Sequence, residues 1–427
     1  MSTHSFSRRH FLGAGAGAAV SVTALGACSQ RGGTSLPATT ASGAVAGDGT
    51  STSLPAGGAP ATTAAGGSVA GARRLVVVQL HGGNDLLNTL PPTDGRYMDQ
   101  RPTLALPEAD RLALAGVSDF GMHPSLAALV PAWENGSLAL VRGIGFDDPN
   151  RSHFVSMDRW WRADDPTGPG WLGRVLDLWG ADQPPLAGTA LGGGAPLLAG
   201  SAVQPTVVPS PESFRLRLLD PAALAFGDGQ PGSLDGAARR AFARALEAMA
   251  DFSALVTQAP ADADLPEFAG GAPISDALAT AAALLTADVG ARIVVVSADG
   301  FDTHSGQAAV HAGLLEDLGN GLAAFQAAVD AAGLADDVLL VTTSEFGRRV
   351  AQNGSEGTDH GAGGVSLVLG SSVAGGAFGD VDLGDLLDGD IRPVLDPRAL
   401  YTPCLDWLGV DAELVLGRRY EGLAVLR

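Results

Sequence analysis

Four histidines of this sequence lie in polar, glycine-containing segments that follow predicted strands. They are His81, His153, His304 and His360, and each has a carboxylate or hydroxyl side chain close by in the sequence. Neutral imidazole and carboxylate oxygen are ligands for zinc, manganese or iron, and a metal site with open positions can activate water or polarise an ester oxygen. One shared metal site explains all four histidines. The alternative for any single one is an ordinary hydrogen-bonded core residue.

Two short pairs of acidic residue and histidine are candidate metal ligands. Asp302 and His304 are two residues apart, so an extended loop would present both side chains on one side. Asp359 and His360 are adjacent, and the glycines that flank them would let the backbone turn so that both could bind a metal. Glu345, after another predicted strand, is a further candidate ligand or base. Asp302 and His304 could instead lock their loop by hydrogen bonds.

Serine and arginine residues near these ligands would complete a hydrolytic site. Ser152 lies at the predicted start of a helix, where it would either cap the helix or act as a nucleophile, with His153 as its catalytic neighbour. Arg348 and Arg151 would each hold an anionic substrate oxygen, because a guanidinium donates two parallel hydrogen bonds to such a group. The alternative for Arg348 is an ion pair with Glu345 that holds the loop.

Residues 81–88, H-G-G-N-D-L-L-N, directly follow the first predicted strand. A strand followed by glycines and polar residues is typical of a ligand site at the carboxyl end of a parallel strand. In this segment Asp85 is a candidate metal ligand, Asn84 a candidate oxyanion donor and His81 a candidate substrate-binding residue. A role in the turn alone is the alternative for Asn84 and Asp85.

The elements that must position these residues are short apolar strands alternating with helices. Unbroken apolar segments at 75–80, 292–297, 338–343 and 365–369 predict strands covered on both faces. Further predictions are a strand at 138–141 and helices at 124–135, from about 152, from 170, and at 237–256, 274–287 and 400–408. A long helix before position 338 has one apolar face, formed by Val310, Leu314, Leu318, Leu322, Phe325 and Val329. Residues 181–235 are predicted to form short strands and loops. We predict an α/β fold with a central, mainly parallel sheet between helix layers.

The N-terminal segment has the composition of an export signal and a tether. Arg8 and Arg9 precede a weakly apolar, glycine-rich segment, which resembles a twin-arginine signal and is too short to span a membrane. The sequence L-G-A-C ending at Cys28 resembles a lipobox, whose cysteine is lipidated. An ordinary cleavage site is the alternative. Residues 29–72 are almost wholly Ser, Thr, Gly, Ala and Pro, which is typical of a flexible linker.

These features predict three parts: a signal over 1–28, a linker over 29–72 and a folded domain over 73–427. We expect a protein in the periplasm or on the outer face of the cell membrane that contacts the membrane only through a lipid on Cys28. The other cysteine, Cys404, is expected to be a buried apolar residue, so no disulfide is predicted. The chain has no lysine and a net charge of -20, which argues against non-specific binding of nucleic acid.

Six motifs in this order resemble the domain of unknown function 1501 family across residues 73–427. They are H-G-G-N-D-L-L-N, S-H-F followed by M-D-R-W, G-W-L-G-R, G-F-D-T-H-S-G-Q, S-E-F-G-R and N-G-S-E-G-T-D-H-G. That family is similar to the alkaline-phosphatase-like superfamily of phosphatases, sulfatases and cofactor-independent phosphoglycerate mutases. The resemblance implies a parallel sheet between helices, with two metal ions and a nucleophile at the carboxyl ends of the strands.

By this resemblance Asp302 and His304 stand for a metal-binding pair, His360 for the last histidine ligand and Ser152 for the nucleophile. Glu345 lies where the superfamily has an Asp-His pair. The sequence therefore predicts an exported hydrolase of small phosphate or sulfate esters that depends on a divalent metal, zinc or manganese, and that contacts the twin-arginine translocase during export. The alternatives are a non-catalytic, lipid-tethered surface binding or assembly protein that keeps this fold and, more distantly, a serine esterase.

Overall fold

A mixed sheet of eight strands forms the centre of the part of the chain described by the computed structural model, which covers residues 72–193, 195–209, 273–287 and 289–427. Across the sheet the strand order is β4-β3-β5-β1-β6-β7-β2-β8. In chain order the strands are β1 (Arg74–Leu80), β2 (Leu138–Ile144), β3 (Gly188–Leu191), β4 (Thr206–Val208), β5 (Ile293–Ala298), β6 (Val338–Thr343), β7 (Gly364–Leu369) and β8 (Gly376–Phe378). A separate antiparallel hairpin is formed by β9 (Leu386–Leu387) and β10 (Asp390–Ile391).

The sheet is parallel except at β7, which runs antiparallel to both of its neighbours, β6 and β2. An antiparallel neighbour needs no crossover, so the chain leaves the carboxyl end of β6 and enters β7 at the same edge of the sheet. The connecting loop, residues 344–363, therefore stays at the edge where β1, β2 and β5 also end. The predicted class, an α/β fold with a mainly parallel central sheet, is confirmed.

Helices cover both faces of the sheet. They are α1 (Leu86–Thr89), α2 (Gly95–Gln100), α3 (Val130–Glu134), α4 (His153–Arg162), α5 (Trp171–Trp179), α6 (Pro273–Thr286), α7 (Gln307–Ala331), α8 (Pro397–Trp407) and α9 (Ala412–Leu416). Alternate side chains of β1 enter two separate cores: Val76 and Val78 pack in the core that contains α6 and α7, and Leu75 and Val77 in the core that contains α4, α5 and α8. This double burial explains why the central strands are apolar without alternation.

Two helix predictions need correction. The segment predicted as one helix at 124–135 is a 3-10 helix, Pro124–Leu129, followed directly by α3. Leu126, inside the 3-10 helix, has non-helical dihedrals, φ -93 and ψ 16. The two segments have a proline near each start, which favours a new helical start and disfavours one continuous helix. In α7, Val310 is 51% exposed, and the buried face begins instead with Gln307 and His311.

Several predictions fall on residues outside the described ranges. These are the signal at 1–28, the linker at 29–72 apart from Ala72, the helix at 237–256 and the part of 181–235 beyond position 209. Cys404 is a free, buried residue of α8, and burial raises the pKa of its thiol to about 12. Among the described helices, none has both the length and the apolar character needed to cross a membrane.

Candidate metal centre

Loops at the carboxyl edge of the sheet place three imidazoles around one carboxylate. Oδ1 of Asp302 lies 3.0 Å from Nε2 of His304 and 3.1 Å from Nε2 of His360, and its Oδ2 lies 3.5 Å from Nε2 of His153. The Nε2 atoms of His304 and His360 are 2.9 Å apart. The residues follow β2 and β5 or lie in the loop before β7. Three of the four histidines predicted to share a site, His153, His304 and His360, lie together here, and His81 is not among them.

His153 is oriented by Glu345, which lies behind it. Oε1 of Glu345 is 2.8 Å from Nδ1 of His153 and also accepts a hydrogen bond of 2.8 Å from the backbone N–H of Gly82. A carboxylate oxygen can only accept, so Nδ1 of His153 carries the proton and the lone pair of Nε2 points towards Asp302. Glu345 was predicted as a metal ligand or base, and its carboxylate lies instead behind His153, on the side of the ring away from Asp302.

Gly82 allows this arrangement because its backbone passes very close to the loop after β5. Its φ is +119°, a conformation that favours glycine, and a Cβ atom there would lie 2.2 Å from the backbone nitrogen of Asp302. The first glycine of the H-G-G segment is thus needed for the contact between the β1 and β5 loops. The segment contributes a backbone donor to the site.

The other two histidines are held in the same way. Nδ1 of His360 is 2.7 Å from the carbonyl oxygen of Arg151, and Nδ1 of His304 is 3.4 Å from Oδ1 of Asp359. In both rings the proton therefore belongs on Nδ1, and Nε2 presents its lone pair to the cluster. Two unprotonated nitrogens 2.9 Å apart repel each other unless a proton or a cation is shared between them. The donor set thus fits a metal ion. Asp359 was predicted as a ligand, and it is placed instead behind His304.

Asp302 is the acidic member of the cluster, and its side chain is 45% exposed. Partial burial acts to raise its pKa, but the hydrogen bond from Arg348 and the positive charge of that guanidinium outweigh burial, so the pKa lies below its ordinary value. The carboxylate is therefore charged at neutral pH, as a metal ligand must be.

Arg348 is buried and holds the loops of the site together. Its Nε donates to the carbonyl oxygen of Gly83, Nη1 to that of Thr358, and Nη2 to that of Phe301 and to Oδ1 of Asp302, all at 2.7 to 2.9 Å. Its side chain is 0% exposed. The sequence predicted that Arg348 is a catalytic residue that binds a substrate anion. In the structure its N–H groups donate to protein oxygens instead. Arg348 acts on the cluster through its ion pair with Asp302.

Asp85 and Asn84 belong to a buried polar network. Oδ1 of Asp85 caps α1, and its Oδ2 accepts hydrogen bonds from Arg101, at 2.5 Å, and from Gln307. Burial acts to raise the pKa of Asp85, and the paired Arg101 outweighs it, so the pKa is lowered. Oδ1 of Asn84 is 2.9 Å from Nε2 of His311. Neither residue reaches the metal cluster, so the predicted roles as ligand and oxyanion donor do not fit their positions.

This network positions the loop that carries His360. Oε1 of Gln307 accepts a hydrogen bond from Oγ1 of Thr358 at 2.6 Å, and the guanidinium of Arg101 donates to the carbonyl oxygens of Arg349 and Val350 at 2.8 Å each. Sequence reasoning missed Arg101 altogether. Gln307 closes the G-F-D-T-H-S-G-Q motif, and that motif was the available signal for it.

The other predicted residues are Arg151, Ser152 and His81. Arg151 is half-exposed and pairs with the fully buried carboxylate of Asp390. Ser152 is exposed, precedes α4 as its N-cap residue and makes no capping hydrogen bond with its side chain. His81 is partly buried, with its ring 6.5 Å from that of Trp161, and lines a small cavity beside Glu345. Ser152 and Arg151 directly precede His153 and are therefore next to the cluster in the chain.

Comparison with known proteins gives similar solved structures at low identity. One is a protein in the alkaline phosphatase superfamily from Vibrio parahaemolyticus, with 9% identity, a TM-score of 0.38 and coverage of 82% of this chain and 69% of that chain. Another is the lipoteichoic acid synthase LtaP from Listeria monocytogenes, with 10% identity, a TM-score of 0.38 and coverage of 84% and 76%. A third is the PsFucS1 sulfatase from Pseudoalteromonas sp., with 11% identity, a TM-score of 0.36 and coverage of 82% and 70%.

Similarity at this level carries no argument about activity or substrate. A search of curated protein sequences gave no match. A family model, in contrast, matches residues 165–422, which is more than half of the 427-residue chain and includes Asp302, His304 and His360. The chain belongs to the family described as "Protein of unknown function (DUF1501)".

Proposed function

We propose that this protein is a metal-dependent hydrolase of phosphate or sulfate esters. The observation that carries the proposal is the convergence of three imidazole Nε2 atoms on Asp302, with each opposite Nδ1 facing an oxygen acceptor. An ordinary hydrogen-bonded core histidine does not require its second ring nitrogen to point at a carboxylate shared with two other histidines. Metal-binding histidines commonly have it, because the acceptor fixes the ring and its tautomer.

The residues that would hold the metal ion are His153, His304, His360 and Asp302. A set of imidazoles and one carboxylate suits zinc or manganese. When bound there, a divalent ion would supply Lewis-acid polarisation of the ester group. Glu345 would keep His153 in the required tautomer.

Ser152 is the proposed nucleophile. Its hydroxyl is exposed and is not used to cap α4, although it occupies the N-cap position. The amino end of a helix carries a partial positive charge, which stabilises negative charge developing on the attacking oxygen and on the ester. The half-exposed guanidinium of Arg151 would bind an anionic group of the substrate, and His81 would line the site from the β1 side. A water molecule is the alternative nucleophile.

The proposal includes export by the twin-arginine route and a lipid anchor at Cys28. Its support is the sequence R-R-H-F-L followed by L-G-A-C and a linker without core-forming residues. The test is to grow cells with labelled palmitate, fractionate them and measure the label on this protein. Label on the wild-type chain and none on Cys28→Ser is expected, and equal labelling of both would contradict lipidation at this residue.

The central test is metal analysis of the full chain purified after export by its native route. We expect stoichiometric zinc or manganese in the wild type and loss of that metal in His360→Ala. We also expect kcat/KM for aryl phosphate or sulfate esters to fall at least about a hundredfold in Ser152→Ala. Ser305→Ala is the matched control, because Ser305 is also exposed and is also next to a cluster histidine in the chain, His304. Absence of a stoichiometric metal, with no loss of stability on chelation, would overturn the proposal.

A second candidate is a non-catalytic, lipid-tethered binding or assembly protein with a structural metal. It is favoured by one observation: Arg348 and Glu345, both predicted for chemistry, are engaged with protein groups. Metal binding without turnover of any ester, together with unchanged biological function in Ser152→Ala, would select this candidate.

A further inference from the structure

Two arginines at the rim of the metal centre share one buried carboxylate. Nε and Nη2 of Arg151 donate to Oδ2 of Asp390 at 2.9 and 2.5 Å, and Nε of Arg349 donates to Oδ1 at 3.2 Å. The arginine side chains are 41% and 40% exposed, whereas that of Asp390 is 0% exposed. One carboxylate cannot neutralise two guanidiniums or satisfy their ten N–H donors. These three residues together carry one excess positive charge. The charge of Asp359 also acts on Arg349, and the guanidinium N–H groups left unpaired by Asp390 remain accessible to solvent.

The arginine pair is tied to the metal centre through the backbone. The carbonyl oxygen of Arg151 is the acceptor for Nδ1 of His360, and the backbone N–H of Arg349 donates to the carbonyl oxygen of Asp359 at 3.0 Å. Arg349 follows Arg348, which forms an antiparallel bridge with His360. The side chain of Arg348 is buried and that of Arg349 is half-exposed, as expected for successive residues of an extended segment.

The β9–β10 hairpin holds both guanidiniums in place. Its turn contains Asp388 and Gly389 with φ of +54° and +87°, the dihedrals of a tight Asp-Gly turn. This turn brings the carboxylate of Asp390 against the pair and lets the carbonyl oxygen of Asp388 accept a hydrogen bond from Nη2 of Arg349. Backbone pairing between Arg349 and Asp390 adds to this constraint. Two guanidiniums fixed in this way are preorganised for a planar anion, because little rotational freedom remains to be lost on binding.

We infer that Arg151, Arg349 and Asp390 form a binding site for a second anionic group of the substrate, separate from the ester group that reacts at the metal centre. Arg151 and Arg349 contact the anion, and Asp390 is a positioning residue. The inference rests on the proposed function and deepens it: the preferred substrates are esters that carry an additional carboxylate, sulfonate or phosphate. An exposed ion pair with one arginine for each carboxylate, such as Arg392 with Asp385, has no such excess charge.

The test compares kcat/KM of the metal-loaded full chain for phenyl phosphate and for its 2-, 3- and 4-carboxyphenyl analogues. We expect the best carboxylated isomer to be preferred about tenfold or more, since a hydrogen bond to a charged group contributes at least that factor. In Arg349→Gln and in Asp390→Asn the ratio between the two substrates is expected to fall close to one. Arg392→Gln, which removes a guanidinium of similar exposure from the same region, is expected to keep the ratio.

A binding measurement separates this inference from the proposed hydrolase activity. Isothermal titration with phenylphosphonate and the carboxyphenylphosphonates needs no turnover, and the wild type is expected to bind the best carboxylated ligand about tenfold more tightly. Loss of that advantage in Arg349→Gln supports the site even if no ester is hydrolysed. Hydrolysis of phenyl phosphate with no preference for any carboxylated isomer would overturn the inference and leave the proposed function intact. A preference that persists in Arg349→Gln and Asp390→Asn would also overturn it.

Discussion

Glu345→Gln is expected to weaken metal binding by about tenfold to a hundredfold and to leave the fold intact. Glutamine has the same shape, and its amide oxygen can still accept the two 2.8 Å hydrogen bonds that Glu345 receives from Gly82 and His153. The negative charge is lost. A hydrogen bond to a charged group contributes about 1.5–3 kcal/mol and a neutral one about 0.5–1.5 kcal/mol. The midpoints of these ranges differ by about 1.25 kcal/mol, which corresponds to about an eightfold change in affinity.

The assay is competition with a chromogenic chelator for Zn²⁺ and for Mn²⁺, with thermal unfolding as the check on the fold. Glu316→Gln, an exposed position on α7, is the control and is expected to bind metal like the wild type. Asp359→Asn is expected to have a smaller effect than Glu345→Gln, because Asp359 is 56% exposed and lies 3.4 Å from His304, so water can replace it as the acceptor.

Two results would refute this reasoning. Unchanged metal affinity in Glu345→Gln would mean that the carboxylate does not control the tautomer of His153. A loss far beyond a hundredfold, equal to that in His153→Ala, would mean that Glu345 binds the metal directly, as its place after β6 led the sequence to predict.

Three further predictions concern the stability and geometry of the site. Burial lowers the pKa of His311 to about 4, so the folded state favours the neutral ring. The free energy of unfolding is therefore not reduced by His311 above pH 6.5, and it falls by up to about 3 kcal/mol as the pH drops towards 4. In urea unfolding, the stability of His311→Gln should depend less on pH than that of the wild type. An equal dependence on pH in both proteins would contradict this. In Gly357→Ala the new Cβ would lie 2.1 Å from a carbonyl carbon of the neighbouring loop, so metal affinity should fall, whereas Gly354→Ala, with nothing within 4 Å, should bind metal normally. Asp85→Ala leaves the buried Arg101 without its counter-charge and should cost about 3–5 kcal/mol in urea unfolding, and a cost below about 1 kcal/mol would refute the importance of the pair.

The sheet was predictable because buried parallel strands have a local signature. β1, β5 and β6 are short runs of apolar, mostly β-branched residues, and their positions agree with the prediction within one or two residues. The helix predicted at 124–135 failed locally because its prolines act on hydrogen bonds that the apolar periodicity does not reveal. Periodicity reports which side of an element is buried and says little about its backbone dihedrals.

The residues of the site were largely predictable, and their roles were not. Parallel strands end at one edge of a sheet, so polar residues after β5 and β6 had to lie near one another. Differences of a few ångströms in loop position decide whether a carboxylate lies in the cluster or behind one of its histidines. The backbone of Gly82 donates a hydrogen bond to Glu345 and passes close to Asp302, and both contacts join residues more than two hundred positions apart.

The sequence by itself determined the α/β class, the placement of polar residues after the strands and the presence of histidine and carboxylate suited to a metal. Those properties follow from local composition and spacing. Only the tertiary structure decided that His153, His304 and His360 direct Nε2 to Asp302. It also decided that Arg348 donates its hydrogen bonds to carbonyl oxygens. The same holds for Asp390, which accepts hydrogen bonds from both Arg151 and Arg349. The physical reason is that hydrogen bonds act over about 3 Å, and the loops that bring these atoms so close are fixed by packing between distant parts of the chain.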